Sequence, residues 1–494
     1  MPDKANSLPS TQAPGLVRGL GLLDSTMIVM GSMIGSGIFI VSADVARQVP
    51  SPALLILAWV LAGIFTMACA LGFAELGAAF PRAGGQYTYL REAFGPLMGF
   101  LFGWTLFLVI NTGTIAAVAV AFARFLGVLV PAVSSTSYLV NWGELSLPFT
   151  SHRFLAAFST QQLAAILSIV VLTVLNCFGI RLGAIVQNIF TFTKTGALLA
   201  LVLLGVLVGW NAQAVEVNFG DFWRNAEWSA PTLIALGMAM VGPIFAADAW
   251  YQITYTAEEV ENPSRNLPLS LVLGVGIVCS LYVLTNFVYL GVLPLEGSPD
   301  GTTPLARGIQ HAAEDRVGTA TAQVIFGPVG LVLMALAVVI STFGCNNGII
   351  LSGARVFYAM ARDKLFFASV AKVHPRYRTP VIALAVQGVW SCLLTLSGSY
   401  SQLLDYITFA VLLFNIVTIL GLIVLRYKRP DLNRPYRTWG YPYVLVLFIA
   451  IAGFVAAVLL LYKPMYTWPG LIIVLLGVPV YYLWRRAGQV PAGG

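Results

Sequence analysis

Twelve times along this chain an apolar run reaches the roughly 20 residues that a helix needs to cross a bilayer's hydrocarbon core at about 1.5 Å of rise per residue. The runs fall at 21–45, 52–79, 96–130, 160–180, 183–210, 230–258, 267–293, 327–360, 380–398, 402–426, 441–462 and 467–485, spans 1 to 12 in chain order. Within lipid every backbone N–H and C=O has to be paired, which only helices and closed barrels achieve. Composition points the same way, with 58% of the 494 residues hydrophobic, 10% charged and a mean hydropathy of +0.85. The chain reads as an all-α polytopic membrane protein with 12 transmembrane helices.

The first twenty residues are polar and carry no small-residue cleavage site, so span 1 is expected to serve as its own insertion signal. Twelve crossings leave both ends on one side. With the ends inside, 19 of the 27 Lys and Arg fall on that side and 7 on the other, which predicts a multi-pass protein of the cell membrane with cytoplasmic tails at 1–20 and 487–494. The net charge of +7 belongs to these topology-setting loops and implies no nucleic-acid partner. Cys69, Cys177, Cys279, Cys345 and Cys392 all lie within spans, so no structural disulfide is expected, and no glycosylation sequon occurs. The longest external connections, 131–159 and 294–326, are too short for a soluble domain, although the second has the helix formers for a short surface helix.

Two spans carry unusual interruptions. Span 1 contains "GSMIGSGIF" (31–39), three glycines and two serines where an unbroken helix is expected, and span 6 contains Gly242-Pro243, which removes a backbone donor in mid-membrane. Spans 1 and 6 lie five crossings apart and therefore run in opposite directions. Matching breaks in two oppositely oriented five-helix halves point to an inverted-repeat transporter, with a first repeat at 21–210, a second at 230–426, a ten-helix core at 21–426 and spans 11 and 12 (427–486) added to it. Unwinding a helix in lipid leaves polar backbone groups that cost several kcal/mol each unless something pairs with them, and a bound polar ligand does so. N–H groups at Ser36 and Gly37, opening a half-helix, suit a carboxylate, and carbonyls around Met33, Ile34 and Phe245 suit an ammonium. A zwitterion such as an α-amino acid carries both. The competing reading of "GSMIG" alone is a Gly-x-x-x-Gly helix-packing motif.

At these residues the chain resembles the amino acid/polyamine/organocation (APC) superfamily, and within it the L-type amino acid transporter group and its bacterial relatives. "GSMIGSGIF" resembles the span 1 signature, "FAELGAAFPRAGGQYTYLREAFG" (73–95) the end of span 2 and its loop, "FAADAWYQITYTAEEVENPSRNLP" (245–268) the second half of span 6, and "STFGCNNGIILSGARVFYAMARD" (341–363) span 8. The resemblance implies a LeuT-like fold with a 5+5 inverted repeat and transport of neutral amino acids, small or large, by alternating access. Carried over residue by residue, the backbone of Ser36 and Gly37 would hold the substrate carboxylate. Carbonyls near Met33, Ile34, Phe245 and Asp248 would hold the amine, with Gly35 and Ala246 completing the site and the Phe245 ring closing it from outside. The chain departs from the family pattern at Ala247-Asp248-Ala249 and at Tyr251, which alters the pocket lining.

Lys194 lies eleven residues into span 5, roughly 16 Å at the helical rise and close to the midplane. A central lysine costs about 2.5 to 3.5 kcal/mol on insertion scales and should face the bundle. In sodium-coupled LeuT-fold transporters a sodium ion sits between spans 1, 5 and 8; the resemblance implies that the ammonium of Lys194 fills that role, bridging Gly31 and Ser341, and that transport is sodium-independent. A fixed charge there predicts exchange, a titrating one proton-coupled uptake. A lysine that only pairs with a structural carbonyl is the plainer alternative. Asp248 reads first as a cap on the second half of span 6 and second as a contact for a cationic substrate. Glu75 reads as pairing near the cytoplasmic end of span 2. Glu258, Glu259 and Glu261 with Arg265 read first as a solvated face and second as a gate paired with basic internal loops.

His152, His311 and His374 lie outside the spans and no nucleophile or metal constellation appears, so no catalytic residue, metal or cofactor is expected. Some animal members of the group pair with a heavy chain through a cysteine in the loop after span 3; residues 131–159 contain none, which implies a stand-alone chain, a monomer without a disulfide-linked partner. The leading expectation is an amino acid exchanger. Proton-coupled symport, carriage of cationic amino acids or polyamines, and a membrane sensor that binds an amino acid without moving it are the alternatives.

Overall fold

Ser51 and Pro52 show how a span starts in this chain. Ser51 is extended, Pro52 occupies a first-turn position where a missing N–H costs no hydrogen bond, and the helix then runs 28 residues to Ala79 without another proline. Pro96, Pro263 and Pro328 open three further long helices in the same way. The computed structural model describes residues 16–146, 153–397 and 400–486; most of the expected tail 1–20, the tail 487–494 and His152 lie outside the described residues.

Among the described residues nine helices are long and apolar enough to cross a membrane: Pro52–Ala79, Pro96–Leu129, Thr160–Cys177, Ile180–Val208, Pro263–Val292, Pro328–Arg362, Ile407–Lys428, Tyr443–Tyr462 and Thr467–Arg486. Leu22–Met33 and Gly37–Gln48, bent 41° apart, form one more as a broken span. Where spans 6 and 9 are expected, the structure has shorter apolar helices, Ala230–Ala246 and Val381–Leu396.

Burial follows the logic of a membrane bundle, polar inward and apolar outward. Along span 5, Ile185, Ile189, Phe192, Leu199 and Leu203 are exposed at helical spacing while Gln187, Thr191, Lys194 and Leu198 are buried on the opposite face. Span 1 is enclosed by spans 5, 7 and 8, and every residue from Ser25 to Ala43 is buried. Spans 2 and 7 pack along each other, and span 8 runs between spans 3 and 5. Exposed Trp210, Trp223, Trp228 and Trp468 flank one end of the spans and Tyr427, Trp439 and Tyr443 the other, as aromatic belts do at membrane interfaces.

Two connections differ from expectation. The loop 131–159 holds an antiparallel hairpin, Tyr138–Ser146 paired with Arg153–Ser159. In 294–326 the short helix Pro304–Arg307 lies at the surface, but a second one, Val317–Phe326, does not: Val317 to Ala322 are buried, because the small residues of "VGTATA" let it settle against Phe39 and Tyr289. At the other end of the bundle Gly19 N, just before span 1, donates to the Glu259 carbonyl at 2.9 Å, and Trp484 Nε1, in the last turn of span 12, donates to that of Lys364 at 3.3 Å.

Candidate functional site

The first helix of span 1 stops at Met33, Ile34 turns extended (φ −75°, ψ 91°), and a new helix begins at Gly37. The N–H groups of Gly37 and Ile38 therefore precede the first intrahelical bond, which Phe39 N makes to the Ser36 carbonyl at 3.1 Å, and lie at the break. Gly37 is required by a close approach: a Cβ there would meet the Ala246 Cβ at 2.6 Å, so span 6 presses directly on the break.

Span 6 opens later than Gly242-Pro243 suggests. Pro243 sits in the first turn of the helix Val241–Ala246, where its missing N–H is not needed, and Ile244 N still donates to the Met240 carbonyl at 2.9 Å. The ladder ends instead at Ala247–Tyr251, where Ala249 adopts a left-handed backbone (φ 66°), and a short helix resumes at Gln252–Tyr255. The cap expected of Asp248 is not made. Tyr251 takes the N-cap position without a side-chain hydrogen bond, and the Asp248 carboxylate accepts from the Tyr251 hydroxyl at 3.0 Å.

Between the two breaks lies a cavity of about 30 Å³. It is lined by Met33, Gly35, Ser36, Gly37, Phe245, Ala246 and Asp248, all expected at a ligand site, together with Ser32, Ala249, Thr114 and Val118 of span 3, and Cys345 and Ile349 of span 8. A hollow of about 940 Å³ lies nearer the hairpin, bordered by Arg124, Tyr138, Gln162, Glu314 and Arg316. The smaller cavity is the better candidate because the polar backbone of both breaks converges on it. The span 3 and span 8 residues had no signal in the sequence beyond the polar runs "NTGT" and "GCNNG".

Ile34 turns away from the cavity. Its carbonyl accepts from Lys194 Nζ at 2.7 Å and from Ser341 Oγ at 3.0 Å. Lys194 is 1% exposed and also donates to the carbonyls of Gly31 at 2.5 Å and Ser341 at 3.4 Å; among the described residues it has no carboxylate partner. One ammonium thus ties spans 1, 5 and 8 through three carbonyl oxygens, a cage that would equally suit a small metal cation.

Toward the end that carries the termini, polar side chains close the bundle. Gln252 Nε2 donates to Asn111 Oδ1 at 3.0 Å, Ser352 Oγ to Gln252 Oε1 at 2.9 Å and Asn111 Nδ2 to Gln387 Oε1 at 3.1 Å, linking spans 3, 6, 8 and 9. Glu259 is not on a solvated face: it is fully buried against Arg355 through bonds of 2.8 and 3.2 Å, while Glu258 pairs with Arg362 at 3.2 Å. Arg355 on span 8 is itself buried and needs a carboxylate, which the neighbouring loop delivers. Glu75 is buried as well, held by Arg426 at 2.5 Å, Arg434 at 3.4 Å and the Thr438 hydroxyl at 2.8 Å. Asp363 pairs with Arg91. Among the described residues no group of three His, Cys, Asp or Glu side chains is placed to hold a metal.

Residues 20–481 match the amino acid permease family. The chain is 30% identical over 488 residues to b(0,+)-type amino acid transporter 1 of Mus musculus, covering 97% of this chain and 91% of that one. It is 29% identical over 474 residues to the serine/threonine exchanger SteT of Bacillus subtilis (96% and 98%), and 31% over 475 residues to large neutral amino acids transporter small subunit 2 of Homo sapiens (95% and 80%). With both helix breaks, the lysine between spans 1, 5 and 8 and nearly its whole length inside one alignment, this chain belongs to the amino acid permease family.

Proposed function

We propose that the chain is a secondary transporter that carries neutral amino acids across the cell membrane by alternating access, by exchange and without sodium. The observation that carries this reading is the meeting of the two breaks over one cavity. The helix start at Gly37 offers N–H groups and the positive end of a dipole to a carboxylate, and carbonyls at Met33 and Phe245–Ala246 offer acceptors to an ammonium. An α-amino acid brings both charges. The relatives' names, two amino acid transporters and a serine/threonine exchanger, support the substrate class and the exchange mode.

About 30 Å³ accommodates roughly two waters. That is less room than any amino acid needs, so substrate entry requires the cavity walls to move apart, with the Phe245 ring swinging out as the outer gate. Lys194 places a tethered ammonium where a sodium-coupled carrier would recruit a cation. The placement of Lys and Arg supports cytoplasmic termini, and the breaks in oppositely running spans 1 and 6 support twelve spans, an inverted repeat of 21–210 with 230–426 and spans 11 and 12 as additions. The five free cysteines, all within predicted spans, support a stand-alone chain. Asp248 in the cavity wall favours a second reading, carriage of cationic side chains.

A thermal-shift panel on the purified protein tests the site. Alanine, serine and threonine should raise Tm, decarboxylated and deaminated analogues should not, and lysine should do so only if the second reading holds. Equal shifts from the truncated analogues would contradict two-charge recognition.

A further inference from the structure

Span 7 (Pro263–Val292) contributes nothing to the cavity lining, yet one of its side chains touches both breaks. The Tyr282 hydroxyl lies 3.0 Å from the Met33 carbonyl oxygen and 3.2 Å from that of Ala246. Met33 ends the first half of span 1, Ala246 ends the first half of span 6, and both line the cavity. Tyr282 is 1% exposed, and Trp59 of span 2 fixes its ring edge-on at 5.6 Å between centroids. On the same face of span 7, one and two turns further on, Asn286 accepts from Ser42 Oγ at 2.6 Å and Tyr289 donates to the Ile38 carbonyl at 3.3 Å. Span 7 is thereby fastened along the second half of span 1, with the Tyr282 hydroxyl at the break itself.

A phenol hydroxyl has one hydrogen, and both carbonyls are acceptors. At any instant that hydrogen serves one of them, and each carbonyl keeps a further lone pair. We propose that Tyr282 is a positioning residue for the substrate's amino group: it aims the Met33 and Ala246 carbonyls at the cavity and shares one hydrogen between them, leaving a donor deficit that an ammonium with three N–H donors fills. When substrate donates to one carbonyl, the hydroxyl turns to the other, so the arrival of the amino group commits a bond that links spans 1, 6 and 7. The inference rests on the amino acid reading above and adds the element that tunes recognition of the amine.

Tyr282→Phe in proteoliposomes tests it, with L-alanine, L-leucine, L-lysine and their N-methyl derivatives as probes, using whichever pair the wild-type protein exchanges best. KM should rise about tenfold, the factor carried by one hydrogen bond, with Vmax within about twofold. The penalty for N-methylation, which removes one N–H, should shrink by a similar factor because the acceptors are no longer aimed. Unchanged KM and an unchanged N-methyl penalty overturn the proposal, as does a fall in Vmax alone, which would place Tyr282 in the moving step. If Tyr282→Phe fails to accumulate in the membrane, Trp59→Leu carries the test, since it frees the ring and keeps the hydroxyl; it should raise KM and lessen the N-methyl penalty, and no change in either overturns the proposal. Wild-type protein that exchanges none of the probes overturns the functional reading and this inference with it.

Discussion

Lys194 and Gly37 are the two residues on which most depends at atomic scale. Removing the Lys194 ammonium takes a donor from the Gly31, Ile34 and Ser341 carbonyls; Ser341 Oγ still serves that of Ile34, and any buried group left unpaired costs about 1–3 kcal/mol. Lys194→Met keeps the stem's bulk and removes the donors. It should cut exchange at least tenfold while the amount of protein in the membrane is unchanged, read by transport alongside immunoblotting; full activity would show the ammonium to be dispensable. Gly37→Ala places a methyl 2.6 Å from the Ala246 Cβ, so spans 1 and 6 must separate and substrate-induced thermal shifts should vanish. Lysine in an apolar run is conspicuous because burying it is costly. Thr114, Val118, Cys345 and Ile349 line the same cavity and were not legible, since small neutral residues cost little wherever a membrane helix puts them.

Among the elements, the break in span 1 was readable and that in span 6 only in part: the helix is interrupted at Met240, beside Gly242-Pro243, but the wide opening lies about five residues further on. Glycine and serine in "GSMIGSGIF" weaken the helix at the point where it opens, whereas Pro243 falls in a first turn that tolerates it. The real opening depends on the left-handed Ala249, a conformation imposed by packing that alanine does not announce. The hairpin at 138–159 was missed because its strands carry two register irregularities, which blur the two-residue alternation. The Arg355–Glu259 pair, 96 residues apart in sequence, has no local signature either. Breaking it from one side leaves a buried charge, so Glu259→Ala should lower stability by about 3–5 kcal/mol, whereas Glu259→Leu with Arg355→Met should cost much less. Thermal unfolding in detergent separates the two outcomes.

For the molecule as a whole, the apolar runs specify a bundle and the Lys/Arg bias predicts which side its ends face; the extent of each helix was not legible, and span 6 proves shorter than its apolar run. The end that carries the termini is closed by ion pairs, among them Glu92, which lies outside the spans and bonds Arg429 at 2.8 Å and Arg91 at 3.2 Å. Burial alone raises the Glu92 carboxyl, and the hydrogen bonds from Arg429 and Arg91 outweigh it, so the group sits below its usual value. Its contribution is therefore complete above the unfolded value of about 4.3 and is lost as pH falls through the lower folded one. Glu92→Gln should lower stability by no more than about 1 kcal/mol at pH 7, since Arg429 is half exposed and screened, and the difference should fade at pH 3 to 4.

The most direct test of the central claim is uptake of a labelled small neutral amino acid into proteoliposomes, with and without unlabelled amino acid inside, with and without sodium, and with an inward proton gradient. We expect uptake that requires internal amino acid and is indifferent to both ions. Accumulation into empty vesicles driven by sodium or by protons would contradict exchange built around a fixed positive charge at Lys194.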